Sequence, residues 1–279
     1  MGQLTSPTFR RRRLARRLRQ MREAAGLTLD EAAPQLDKTK SALSRLETAQ
    51  SRADVHIVRS MMDLYDHYDP DLVQLAREAH RPGWWRKFGI EDRGFIDMET
   101  EASSVRVFSL VNMPGLLQTE NYMRALFSSG KVRRTRVRLE NDVAARLHRQ
   151  QRLTDDEFPL ELTAIIDEAA LHRNVGGPEV MGEQLRHLVS RADLAEVTIQ
   201  VLPNEFGVHA GMDGAFTILD FPNDEDPSVM YVEYPTGSLH AEKPEEVQEA
   251  KLVYNRLRSE ALSPQDSVAF IERAVDGLG

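Results

Sequence analysis

The chain has 279 residues, 41% of them hydrophobic, no cysteine, and a formal net charge of −8. These values exclude disulfides and thiolate metal centres, and no stretch approaches the roughly 20 apolar residues that span a bilayer. The charge is lopsided: residues 1–59 carry 13 Lys/Arg against 6 Asp/Glu, which leaves a net −15 for the remainder. A basic front on an acidic body points the front toward a polyanion. The opening "MGQLTSPTFRRRR" lacks the apolar core of a secretory leader, so a cytoplasmic location is expected.

Residues 1–9 read as irregular. "RRRRLARRLRQMREAAG" then sets Leu14, Leu18 and Met21 on one helical face under a coat of arginines, and Gly26 ends the helix. Thr28 followed by Glu31 is a capping box, opening a second helix to about Leu36 with Leu29, Ala32, Ala33 and Leu36 inward. Pro34 inside it removes a backbone donor and threatens a kink. Asp37 and Lys38 form a corner, and Thr39 caps a third helix held by Leu43 and Leu46. "ADVHIVRSMMDLYDHY" and "DPDLVQLAREAH" supply a fourth and a fifth helix. "RPGWWRKFG" breaks the pattern with a Pro-Gly turn and the chain's two tryptophans, Trp84 and Trp85. They read as an aromatic plug docking one domain on the next, with a ligand cage as the alternative. Domains are expected at 1–81 and 93–279, joined by a linker at 82–92.

Beyond the linker, helices and strands mix. Strands are expected at 103–111 and 160–167, and in "VTIQVLP", "AFTILDF" and "VMYVEYP". The last three read as sequential and antiparallel. Helices are expected in "TENYMRALFSS", over 133–153, in "EAALHR", in "GGPEVMGEQLRHLVSRA" and in two terminal segments. "GVHAGMDG" reads as a hairpin-like loop, and the acidic 222–228 as a solvated hairpin tip. The fold class is thus an all-α N-terminal domain followed by an α+β domain with a mostly antiparallel sheet.

A helix, a capped second helix, a short turn and a third helix is the helix-turn-helix layout, whose third helix enters the major groove of DNA. Thr39, Lys40, Ser41, Ser44 and Arg45 face outward; all can donate hydrogen bonds and none is acidic. Arg45 suits a bidentate grip on guanine. Arg10, Arg11, Arg12 and Arg13 are candidates for neutralising phosphates, and Thr28, at the start of the second helix, joins the candidate DNA-binding set.

"GLTLDEAAPQLDKTKSALSRLE" resembles the XRE, or lambda-repressor-like, helix-turn-helix family. The resemblance implies base contacts at Lys40, Ser41 and Arg45, and an Arg22–Glu47 pair tying the first helix to the third. Three residues depart from the pattern: Leu29 replaces a glutamine, Ala49 replaces the glycine that ends the reading helix, and Pro34 lies within the second helix. The rest of the chain, through "PGLLQTENY", "GGPEVMGEQL" and "LRSEALSPQDSVAFI", is similar to actinobacterial regulators that join such a domain to a C-terminal domain of unknown function, WhiJ-like and antitoxin-like. This implies a homodimeric, nucleoid-associated transcriptional regulator of double-stranded DNA. It would read a palindrome and be modulated by a small molecule or by a small partner protein encoded nearby.

The C-terminal half offers no phosphate loop, no dinucleotide fingerprint and no H-E-x-x-H spacing; His172, His187, His209 and His240 are scattered. Asp167 and Glu168 end a strand without a partner base or nucleophile. No catalytic residue, cofactor, metal or membrane partner is therefore expected. Met113, Leu116, Leu117, Gln118 and Asn121, in "MPGLLQTENY", are the candidate ligand- or partner-binding residues, with a core-facing loop as the alternative. Two rival functions stay open: an antitoxin-like protein that sequesters a small partner, and a DNA-binding module fused to an enzyme.

Overall fold

The computed structural model describes residues 9–90, 94–129, 134–223 and 225–278. Of residues 1–9, expected to be irregular, 1–8 lie outside this set, whereas Phe9 begins a helix; residue 133, expected to begin a helix, and linker residues 91 and 92 also lie outside it. The chain divides into two units, Met1–Arg86 with Glu91–Met98, and Lys87–Ile90 with Glu99–Gly279.

The first unit is built on five helices. α1 (Phe9–Ala24) buries Leu14, Leu18 and Met21 beneath its arginines. α2 (Leu29–Gln35) opens on a complete capping box, in which the Thr28 hydroxyl accepts the Glu31 amide and the Glu31 carboxylate accepts the Thr28 amide. Pro34 falls inside α2, one residue before its end, and leaves the Asp30 carbonyl without its intrahelical donor. α3 (Lys40–Glu47), α4 (Val55–Leu64) and α5 (Pro70–Ala79) are capped by the side chains of Thr39, Asp54 and Asp69. One core joins all five through Leu18, Ala33, Leu43, Val58, Met61 and Leu72. Full burial of each large apolar side chain contributes about 1.5–3 kcal/mol. The exits from α2, α3 and α4 all pass through a left-handed residue that is not glycine: Asp37 (φ 52°), Ala49 (φ 58°) and Asp66 (φ 48°). Their amides turn back onto helix carbonyls, Ala49 onto Leu46 at 3.2 Å. A left-handed alanine costs roughly 1–2 kcal/mol; here its carbonyl is gripped by the Arg11 guanidinium at 2.7 Å.

After α5 a 3₁₀ turn, Trp84–Phe88, buries Trp85, whose ring lies so close to Gly83 that any Cβ there would collide with it. α6 (Phe95–Glu101) follows.

In the second unit a six-stranded sheet runs in the order β3-β2-β1-β4-β5-β6, with β1 (Ser104–Ser109), β2 (Glu161–Asp167), β3 (Val197–Leu202), β4 (Phe216–Asp220), β5 (Val229–Tyr234) and β6 (Gly237–Ala241). β1, β2 and β3 are mutually parallel, whereas β4, β5 and β6 add on antiparallel from the other side of β1. The sheet is therefore mixed, which corrects the expectation of a mostly antiparallel one. The reason lies in the connections. α7 (Glu120–Ser128) and α8 (Arg136–Gln150) bridge β1 to β2, and α9 (Glu168–His172) and α10 (Pro178–Arg191) bridge β2 to β3. Helical crossovers return the chain to the same edge and so make neighbours parallel. Burial of every β2 residue from Leu162 to Asp167 is the mark of a strand covered on both faces. Of the three strands expected to be sequential and antiparallel, β4 and β5 pair in that sense, but β3 and β4 are separated by β2 and β1. The "GVHAGMDG" loop is thus no hairpin. Residues 203–215 cross three strand spacings, roughly 14 Å, which that length of chain spans easily.

α11 (Pro244–Glu260) packs Tyr254 and Leu257 with Phe108, Ile165, Leu202 and Ile218. α12 (Pro264–Asp276) and the corner before it seal the outer edge of β3. The Ser267 hydroxyl accepts the Val201 amide at 2.9 Å, and the Leu262 amide donates to the Val201 carbonyl at 2.9 Å. The acidic 222–228 connection is not simply solvated: Asp226 is buried, and the Ser228 hydroxyl donates to Asp220 and accepts from Lys251. Among the described residues no helix is long and apolar enough to cross a membrane.

Candidate nucleic-acid interface

α3 divides cleanly into two faces. Leu43, Leu46 and Glu47 are buried, while Thr39, Lys40, Ser41 and Arg45 are exposed and Ser44 is half-buried. The Thr39 hydroxyl accepts the Ala42 amide at 3.2 Å and lies 3.2 Å from the Ser41 hydroxyl, fixing the first turn where base-reading side chains stand. Behind α3, Arg22 and Glu47 form a fork-to-fork pair, Nε–Oε1 and Nη2–Oε2 both 2.8 Å, with side chains only 8% and 3% exposed. Arg22 also donates to the Leu27 carbonyl, and the Glu47 hydrogen bond holds its guanidinium pKa above the ordinary value. The pair ties α1 to α3 and sets the angle at which α3 is presented.

Two features change what the sequence suggests. Lys40 is not a loose cation: its ammonium donates to Asp30 on the first turn of α2 at 2.7 Å, both side chains being exposed. The arginines of α1 are also partly committed to the fold. Arg11 clamps Ala49, and burial together with the nearby Arg52 lowers its pKa. The guanidinium groups of Arg12 and Arg13 lie over the Phe9 ring at 5.8 and 5.4 Å, and Arg17 pairs with Asp69. Arg10, Arg11, Arg12 and Arg13 are all half-buried. The Thr28 hydroxyl is engaged in the capping box, donating to Glu31 at 2.7 Å. Sequence reasoning missed Asp30 and Arg52, because neither stands at a motif position and both matter only through proximity.

The candidate ligand loop lies in the interior. Met113, Leu116, Leu117 and Gln118 are at most 2% exposed. Three glutamines hold the loop. Gln118 donates to the Met113 carbonyl and accepts from Arg146. Gln150 donates to the carbonyls of Gly115 and Gln118. Gln184 accepts the Thr119 amide and donates to the Leu117 carbonyl. Of the five residues singled out, Asn121 alone is exposed, and it donates to Glu183. The core-facing alternative is the better description, since a partner cannot reach four of these side chains. Asp167 and Glu168 point apart: Asp167 caps α9 and lies 3.5 Å from His209, while Glu168 accepts the Asn204 amide. Among the described residues no three metal-binding side chains come together.

Residues 13–76 match the family described as "Helix-turn-helix domain", the DNA-binding module of regulators. Residues 92–273 match the family described as "Domain of unknown function (DUF5753)". No curated protein and no solved structure matches the chain. The second match spans more than half of the sequence, so the chain belongs to the DUF5753 family and bears a helix-turn-helix domain in front of that region.

Proposed function

We propose that the protein is a sequence-specific transcriptional regulator and not an enzyme. It binds as a homodimer to a palindromic operator, with half-sites about one DNA turn apart. The observation that carries this reading is the exposed polar face of α3, fixed from behind by Leu43, Leu46 and the buried Arg22–Glu47 pair. Lys40, Ser41, Ser44 and Arg45 discriminate between sequences, a good bidentate base contact contributing ~1–3 kcal/mol. Arginines of α1 supply salt-sensitive affinity for phosphates. The C-terminal domain modulates binding through a small molecule or a small partner protein.

The direct test compares wild type with Arg45→Ala on DNA upstream of the protein's own gene and on scrambled DNA, across a salt series. The variant is expected to lose its preference for the upstream site while keeping most of its binding to scrambled DNA. Undiminished preference would remove Arg45 from the reading face.

A further inference from the structure

The interior position of the 113–118 loop leaves open where the C-terminal domain meets a ligand, and the second unit has an open cleft elsewhere. It encloses about 530 Å³, within the range of small-molecule sites. It lies where β2 and β3 end, the edge at which sheets of parallel strands leave a crevice between diverging loops. Glu168 and Glu205 come from that edge, and Leu262, Asp266, Phe270 and Arg273 from the corner before α12 and from α12 itself.

Three carboxylates face one guanidinium, so the cleft favours positive charge. Glu168 is set in place by the Asn204 amide at 2.7 Å and by His172 at 3.2 Å. Asp266 is held by Ser263. Glu205 is exposed and makes no hydrogen bond or ion pair among the described residues. The apolar wall already holds a resident cation, since the Arg273 guanidinium, one turn along the same helix, lies over the Phe270 ring, 5.3 Å from its centroid. That ring is already a seat for a cation, held there by its quadrupole.

We propose that this cleft binds an organic cation, an ammonium or guanidinium group on an apolar body. Glu205 and Glu168 meet the charge, and Phe270 and Leu262 line the body. The proposal rests on reading the C-terminal domain as the binding half of a regulator. The same chemistry has two sources, a free amine or a basic side chain of a partner.

The test is calorimetric titration of the full chain, without DNA. The probes are 4-phenylbutylammonium against 4-phenylbutanol, and acetyl-Arg-Phe-amide against acetyl-citrulline-Phe-amide. At least one cationic probe is expected to bind about tenfold or more tighter than its neutral counterpart. Glu205→Gln, a surface change that leaves the circular dichroism unaltered, is expected to erase most of that advantage, and Phe270→Ala to weaken both members of a pair. A tighter amine points to a free ligand; a tighter peptide points to a partner side chain. Equal affinity for cation and neutral analogue, no binding of either cation, or indifference to Glu205→Gln would overturn the proposal. Operator affinity is measured separately on the same preparation. A protein that binds its operator but ignores both cations refutes the cleft alone, whereas one that binds a cation but no DNA refutes the regulator reading alone.

Discussion

The Asp30–Lys40 contact neutralises one cation of the proposed reading helix. Exposed pairs of this kind contribute little to stability, but on the proposed DNA-binding face the acid also repels a polyanion. Asp30→Asn is expected to tighten DNA binding several-fold and to steepen the logarithmic salt dependence by up to about 0.9, the effect of one more phosphate contact; filter binding over a salt series reads both. Buried charge behaves differently. Glu47→Ala strands the Arg22 guanidinium in the core and is expected to cost about 3–5 kcal/mol in urea unfolding. The two pairs also differ in how legible they are. Glu47 looks like an ordinary helix-end charge, and only likeness to the XRE pattern links it to Arg22. Asp30 carries no signal at all, because its distance from Lys40 depends on the angle between α2 and α3.

At the level of elements, periodicity and caps carry most of the information. Thr28, Thr39, Thr119 and Pro178 mark helix starts in the sequence and in the fold alike. Helix ends are harder to read, because Asp37, Ala49 and Asp66 take the left-handed conformation that glycine usually supplies. Asp37→Gly removes that strain at an exposed corner and is expected to stabilise the first unit by about 0.5–1 kcal/mol in thermal unfolding, the gain being limited by the entropy of glycine in the unfolded chain. α6 and β6 have no counterpart in the sequence reading: α6 is a short acidic run, and β6 is a short strand containing glycine beside a two-residue turn. On the sheet, Ser267→Ala is expected to cost about 1–3 kcal/mol, since it leaves the buried Val201 amide without an acceptor. An alanine of similar volume disturbs packing little, so loss beyond that range would point to a larger role for this corner.

Across the whole molecule, local patterns identify strands but not their neighbours. β3 and β4 follow one another in the chain, yet the two helical crossovers draw β2 and β1 between them. That information resides in long-range packing, which no short window contains. The charge distribution sets the response to pH. Backbone hydrogen bonds from Ile57 and His56 hold the Asp54 carboxyl below its ordinary range, and the Thr28 amide does the same for Glu31. Asp220 is also low, because Ser228, Lys251 and Arg106 outweigh its burial. A carboxyl whose pKa is depressed by folding contributes stability that is complete above its unfolded value and is lost as pH falls through the folded one. The transition temperature is therefore expected to drop steeply below about pH 4; a series of thermal melts checks this. The 113–119 loop stands apart from all of this titration. Gln118, Gln150 and Gln184 clamp it through amide groups that carry no proton to gain or lose, and Arg146, which donates to Gln118, stays charged at neutral and acid pH although burial lowers its pKa to about 10. Acidification, which protonates those carboxyls, should leave this joint in its shape, so a recognisable motif of the chain is also one indifferent to solution chemistry.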